Sequence, residues 1–312
     1  MAFTLLAVFS AVPITRVHAQ EQAGQAIQIS PVLIELNADS GQSYKIKLTL
    51  TNVSTGPLVL IPEVNDFKSK DETGTPEIIF DQNEESDNFS MKAWISPPPR
   101  LQLKAKESKT VEVSVNVPKG AEPGGHYGVV RYSGISPGLE DTGVALSASV
   151  GVLLLGRVNG NGNENLSVEQ FFIEQGGKQK SFVEKAPFAI VERLKNDGSV
   201  HLKPSGDVTV KNMFGSVVGS VKVNDPAKNV LPDSIRRFEQ GFTSKFMIGR
   251  YTAHLNLGYG TSGQVLQSST SFWVIPYKLI LISLLAIVLI IVVGRKLIKS
   301  YNKRVIERSK RR

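Results

Sequence analysis

A chain of 312 residues without a single cysteine excludes thiol catalysis, zinc–thiolate sites, iron–sulfur clusters and disulfide scaffolding. An exported fold of this kind must rest on apolar cores, and the length is enough for two. The formal net charge of +8 arises after residue 294, where Arg295, Lys296, Lys299, Lys303, Arg304, Arg308, Lys310, Arg311 and Arg312 stand against one acid, Glu307. The remainder is balanced, which removes the electrostatic case for nucleic acid as a partner.

Residues 1–19 read as a signal peptide. Residues 3–9 form an apolar run too short to be kept as a membrane helix, and Val17 and Ala19 are small enough for signal peptidase, which puts cleavage after Ala19. No Lys or Arg precedes the run; either the true start lies upstream or the signal is atypical.

Residues 20–158 are predicted to form a first β-sandwich domain. Residues 44–50 alternate apolar with polar, as do residues 110–117, the mark of strands with one buried face. Turn residues punctuate them at Gly41, at 71–74 and at 124–125. The acidic stretch 81–88 reads as a solvated loop, with Ca²⁺ binding the less favoured alternative because the Asp-X-Asp-X-Asp-Gly register is missing. Trp94-Ile95-Ser96-Pro97-Pro98-Pro99-Arg100 has two readings. Trp94 and Arg100 are candidate binding residues on a rigid surface, or Trp94 packs in the core while the prolines guard a strand edge. The second is favoured.

Residues 159–165, with two Asn-Gly pairs and no apolar residue up to 163, are either a linker, the preferred reading, or a type I′ hairpin turn. Residues 166–273 are predicted as a second β-sandwich domain. An internal repeat relates the halves. Each has an Asn-containing turn after an early strand, at Asn52 and Asn196, and a Gly-X-Tyr opening a late strand, at Tyr127 and Tyr251. Both tyrosines read as structural corner residues of immunoglobulin-like sandwiches. The fold class expected is all-β: two tandem immunoglobulin-like β-sandwich domains followed by one transmembrane helix.

That helix is placed at residues 274–294, apolar apart from Lys278 and Ser283 over its central run and flanked by Trp273 and Tyr277. Residues 295–312 form a basic tail. The nine bases named above set the C-terminus in the cytoplasm and contact anionic membrane lipid. Leu231-Pro232-Asp233-Ser234 departs from a cell-wall sorting signal at its last two positions and lies too far upstream, so covalent wall attachment is rejected. His126, His201 and His254 are isolated, and no metalloprotease spacing, nucleophile elbow or phosphate loop occurs. No enzyme activity, cofactor or metal is expected. Asn52, Asn88 and Asn165 open Asn-X-Ser sequons, relevant only in a glycosylating pathway.

The layout resembles the WxL-interacting protein family of bacterial cell-surface proteins. The matching residues are Ile29-Ser30-Pro31, the turn at 51–54, 94–97, Val117-Pro118 and 123–128 in the first half. In the second they are 196–198, 204–206, 230–232, Arg237 and 249–251. The resemblance implies peptidoglycan binding by the first domain and binding of a surface protein by the second. The expected function is a non-enzymatic cell-surface binding protein whose ligand is cell-wall polymer or another surface protein. The alternative is a structural scaffold that holds a neighbouring membrane or surface protein by strand pairing or domain packing.

Overall fold

The computed structural model describes residues 26–81, 89–137 and 148–309, the side chains of 148 and 303–309 excepted. The expected signal peptide, Asn88, most of the acidic stretch and Lys310, Arg311 and Arg312 lie outside the described residues.

The protein is mostly β, with one apolar C-terminal helix. The first half carries β1 (Ile27–Ser30), β2 (Leu33–Ala38), β3 (Ser43–Asn52), β4 (Leu58–Ser69), β5 (Pro76–Ile79), β6 (Leu101–Leu103), β7 (Ser108–Asn116), β8 (Gly124–Ile135) and β9 (Ala148–Val158). The second carries β10 (Leu166–Gln175), β11 (Lys178–Lys180), β12 (Phe182–Val183), β13 (Phe188–Asn196), β14 (Ser205–Asn212), β15 (Val217–Val223), β16 (Ile235–Phe242), β17 (Gly249–Tyr259) and β18 (Gln264–Val274), followed by α1 (Tyr277–Ser309).

The strands form four sheets. In the first half, β1-β3-β7 faces β2-β9-β8-β4-β5, with β6 beside β4; in the second, β11-β10-β13-β16 faces β12-β18-β17-β14-β15. Pairing is antiparallel except for β2 on β9 and β12 on β18. The alternation at 44–50 explains why β3 lies where it does. Ile46, Leu48 and Leu50 are buried, and the first two stand opposite Val113 and Val111 of β7, while Lys45 and Lys47 face outward. A one-residue slip would put lysines into the core, so the pattern fixes the register. Each such side chain taken from water is worth about 1.5–3 kcal/mol.

Two large apolar cores result. One runs from Ile27 through Leu48, Leu60, Val113 and Tyr132 to Leu154; the other from Leu166 through Ile190, Val208 and Leu255 to Val274. The repeat seen in sequence has a structural basis. Asn52 is fully buried, donates from Nδ2 to the carbonyls of Gly56 (2.8 Å) and Lys104 (2.9 Å), and accepts the Ser54 amide at 3.0 Å. Asn196 does the same with Val200 (2.8 Å), Val230 (2.9 Å) and the Gly198 amide (2.9 Å). The Asn52 sequon is therefore closed to any enzyme while the fold stands.

The second core contains one carboxyl. Glu192 of β13 shares the inward face with Ile190 and Leu194, opposite Phe171 and Phe238, and is fully buried. Burial pushes its pKa up to about 8. The folded state thus binds a proton that the unfolded chain releases near pH 4.5, and its contribution to stability fades as pH rises through 8. Glu192→Gln should raise the unfolding midpoint at pH 9 and change it little at pH 5. Equal shifts at both values would contradict a buried neutral acid.

The helix differs from expectation at both ends. Pro276 has no amide proton and stops the sheet, so the helix starts at Tyr277, and Ile280 closes its first turn on the Pro276 carbonyl at 3.0 Å. Gly294 does not stop it, and the basic segment continues as helix to Ser309. Residues Tyr277–Asn302 are long and apolar enough to cross a membrane, and no part of their apolar window is buried.

Candidate functional site

Trp94 sits in a single 3₁₀ turn, half-buried against the large core of the first half and a smaller cluster of Ala38, Val117 and Val158, its ring centroid 4.3 Å from that of His126. The segment after it lies along β7: Ile95 bridges Val115 and the Ser96 amide bonds the Ser114 carbonyl at 2.9 Å. Arg100 is exposed just before β6. Arg295, Lys296 and Lys299 are exposed on α1; Lys303, Arg304 and Arg308 belong to its described backbone.

The two halves meet in a polar seam that the sequence did not announce. The turn between β4 and β5 reaches the second half, where the Glu72 carboxylate is forked by the Arg193 guanidinium and the Glu72 carbonyl accepts the Arg237 amide at 2.7 Å. At Gly125 the amide bonds the Ser199 carbonyl at 2.7 Å, an approach that needs glycine, because a Cβ there would strike the Tyr127 hydroxyl and crowd Ser199. Tyr251 bonds its own upstream backbone at Ile248, as a corner tyrosine should. Tyr127 instead crosses the seam, its hydroxyl 3.3 Å from Nδ1 of His201.

A cleft of about 680 Å³ opens beside this contact, lined among others by Glu35, Asn37, Arg157, His201, Lys203 and Asn229. Burial alone would raise the Glu35 carboxyl. Hydrogen bonds from Lys203 (2.6 Å) and Asn229 (2.8 Å) outweigh it and hold Glu35 below the usual carboxylate range. Burial pushes His201 down to about 4; Glu35 opposes the shift, while Arg157 and Lys203 add to it. Glu164, bonded by Arg157 and Thr261, is likewise held low against its burial. Glu35 and Lys203 pair across the seam beside this cleft, and Arg157 pairs with Glu164.

The strongest candidate for function is the outer edge of β18. Along its whole length β18 pairs with β17, from Gln264↔Tyr259 to Val274↔Gly249. On the other side β12 covers only Trp273 and Val274. Residues 264–272 have no strand partner on that side among the described residues. The amides of Trp273 and Ile275 bond Ser181 (2.8 Å) and Val183 (2.9 Å), so odd-numbered residues point their backbone groups outward. By the two-residue period, Val265, Gln267, Ser269 and Ser271 present theirs to the open edge. Their side chains are exposed on the outer face, while Phe272 and Val274 are buried.

Sheet edges are ordinarily guarded by charge, proline, bulges or brevity. Elsewhere this protein follows that rule. The β7 edge carries Lys109 and Glu112 and is bridged at Val115, β11 is three residues with two lysines, and β16 carries Arg236, Arg237 and Glu239. The 264–272 stretch has no charge, no proline, no glycine and no register shift. That uncharged run, in a chain that is 21% charged, was the signal available in the sequence.

No protein-family model matches the chain, and no curated protein matches it. Among solved structures it is similar to the YadV chaperone, at 12% identity over 79% of this chain and 99% of that one, with a TM-score of 0.37. For the class 5 fimbriae chaperone CfaA the values are 14%, 78%, 99% and 0.40, and for the E. coli chaperone DraB 14%, 80%, 97% and 0.35. These neighbours are chaperones, CfaA one of fimbriae, and no family model supports the expected membership of the WxL-interacting protein family; that expectation is corrected, and the cell-wall ligand that rested on it is withdrawn. The physical reason lies in the matched residues. Asn52, Asn196, Gly125 and Tyr251 build turns, a close approach and a corner, which any sandwich of this kind needs and which no ligand requires.

Proposed function

We propose that this protein is a membrane-anchored structural scaffold that holds a neighbouring membrane or surface protein by strand pairing along β18. In this reading, residues 20–158 and 166–273 are two tandem immunoglobulin-like domains joined at 159–165. The segment 274–294 spans a bilayer, and the bases after it keep the C-terminus in the cytoplasm. The observation that carries the proposal is the unguarded edge at 264–272. A row of outward amides and carbonyls there gives an extended partner main-chain hydrogen bonds without demanding a particular sequence. Exposed Val265 and Gln267 supply side-chain contact at the distal end.

Ser269→Pro tests it. The Ser269 amide points away from β17, so proline removes one outward donor and keeps the native pairing. A photo-cross-linking residue at Gln267, in full-length protein in its own membrane, should give a discrete adduct with a neighbouring protein, and Ser269→Pro should abolish it while leaving the melting curve unchanged. An adduct indifferent to the proline, or none at all, would show that the edge is not the contact.

A further inference from the structure

We infer that the lower end of the second sandwich is seated in the lipid interface, with Phe214 and Phe246 immersed beside α1. The inference rests on the membrane anchoring proposed above and concerns a different surface from the β18 edge.

Strand register defines this end. Val274, three residues before α1 begins, stands opposite Gly249; Tyr251 stands opposite Asn212, and Lys211 opposite Val217. The 213–216 turn between β14 and β15, the 243–248 loop between β16 and β17, and Phe182 of β12, paired with Trp273, therefore all lie where the chain leaves for α1. Here the large apolar side chains are outside. Phe214 is 84% exposed and Phe246 73%, and Phe182, Met213 and Ile248 are exposed as well. At the opposite end of the same sandwich, the turns at 197–204, 224–234 and 260–263 expose no large apolar side chain.

The turn holding Phe214 is firmly built. The Asn212 side-chain oxygen accepts the amides of Phe214 and Ser216, each at 3.0 Å, and Gly215 takes the positive φ of 84° that the turn needs. Outward projection of the ring is thus imposed by backbone geometry. An aromatic ring held in water has nothing to gain, whereas at a bilayer surface it enters the headgroup–acyl boundary. The charge around it matches: Lys185, Lys211, Lys245, Arg250 and Lys278 surround these loops, and the acid among them, Glu184, is paired with Lys278 at 2.7 Å. Apolar tips within a basic ring, beside a helix able to cross a membrane, fit an anionic lipid surface.

Absence of native cysteine makes the test direct. Full-length protein carrying Phe214→Cys, Phe246→Cys, Ser262→Cys or Leu285→Cys is labelled with a nitroxide. It is then placed in phosphatidylcholine vesicles containing phosphatidylglycerol. Collision with oxygen, enriched in lipid, is compared with collision with a water-soluble nickel chelate. The oxygen-to-nickel ratio at 214 and 246 should exceed that at 262 several-fold and approach that at 285. Ratios at 214 and 246 equal to that at 262, with 285 in lipid, overturn the inference and leave the anchor standing. An aqueous ratio at 285 removes the anchor as well. Shielding of 214 and 246 from both reagents would mean that a second copy covers this end, and would also overturn it.

Discussion

Asn196→Ala should lower the unfolding midpoint of the full chain in detergent by roughly 10–20 °C, the loss of about 3–5 kcal/mol spread over the second sandwich. The asparagine is fully buried and makes three hydrogen bonds, all to backbone. Alanine strands the Val200 carbonyl and the Gly198 amide in a place water does not reach, at roughly 1–3 kcal/mol each, and takes one of two donors from the Val230 carbonyl, which keeps the Leu202 amide. The two carbonyls belong to Val200 and Val230, which come from separate segments, so the side chain ties the β13 end to the 224–234 turn. Asn196→Asp keeps the acceptor for the Gly198 amide, but it loses both donated bonds and adds a charge, so it should fare no better. Asn52→Ala should act likewise in the first half. Melting followed by circular dichroism reads the effect, and a drop of only a degree or two would refute this role.

Acid should loosen the seam between the halves. His201 titrates near 4 in the folded protein, because burial disfavours its charged form, against an ordinary value near 6.5. Its neutral ring therefore contributes stability that is whole above pH 6.5 and is lost as pH falls through 4. The interval corresponds to about 3 kcal/mol at most, less whatever partial solvent contact takes back. The Tyr127 hydroxyl, whose pKa burial raises, lies 3.3 Å from the ring Nδ1, so a charge placed on the ring falls within that contact. Glu72, held low chiefly by its bond from Arg193, and Glu35 and Glu164, held low in spite of burial, work in the same direction at still lower pH. Protease susceptibility at the 159–165 connection should rise between pH 6.5 and 4. His201→Gln should flatten that rise and leave the steeper loss below pH 4.5. Parallel profiles for both proteins would place the acid response elsewhere.

Much of the fold was legible because it obeys short-range rules. Alternation at 44–50 and 110–117 placed β3 and β7 and named their inward residues, since a strand with one dry face has little choice of pattern. The paired asparagine turns were visible as a repeat because one side chain does the same work twice. What escaped the sequence depends on distant partners. Tyr127 and Tyr251 occupy like positions in their motifs, yet one bonds Ile248 three residues away and the other His201, 74 positions distant. Glu72 looked like a hairpin residue, and only the fold brings Arg193 to it. The segment around Trp94 drew attention by its composition, and in the fold Trp94 lies half-buried beside His126. The β18 edge escaped because it is unremarkable in kind: Ser, Thr and Gln mark an edge only once the missing neighbour is known.

Only Ile275 and Pro276 stand between the last residue of β18 and the first of α1, and Ile275 is itself tied to Val183 at 2.9 Å. A long disordered stalk would let the sheets sweep a hemisphere, so any partner would have to find the edge at every height and azimuth. Here the junction acts as a short, stiff shaft. The tilt and spin of the helix are passed to the strand, and the open edge, which ends at Phe272, begins about 17 Å along the chain from the helix start at Tyr277. For a second protein confined to the same membrane, the search is nearly two-dimensional and meets the edge at a fixed height. Much of the orientational entropy that association normally costs has already been surrendered in folding.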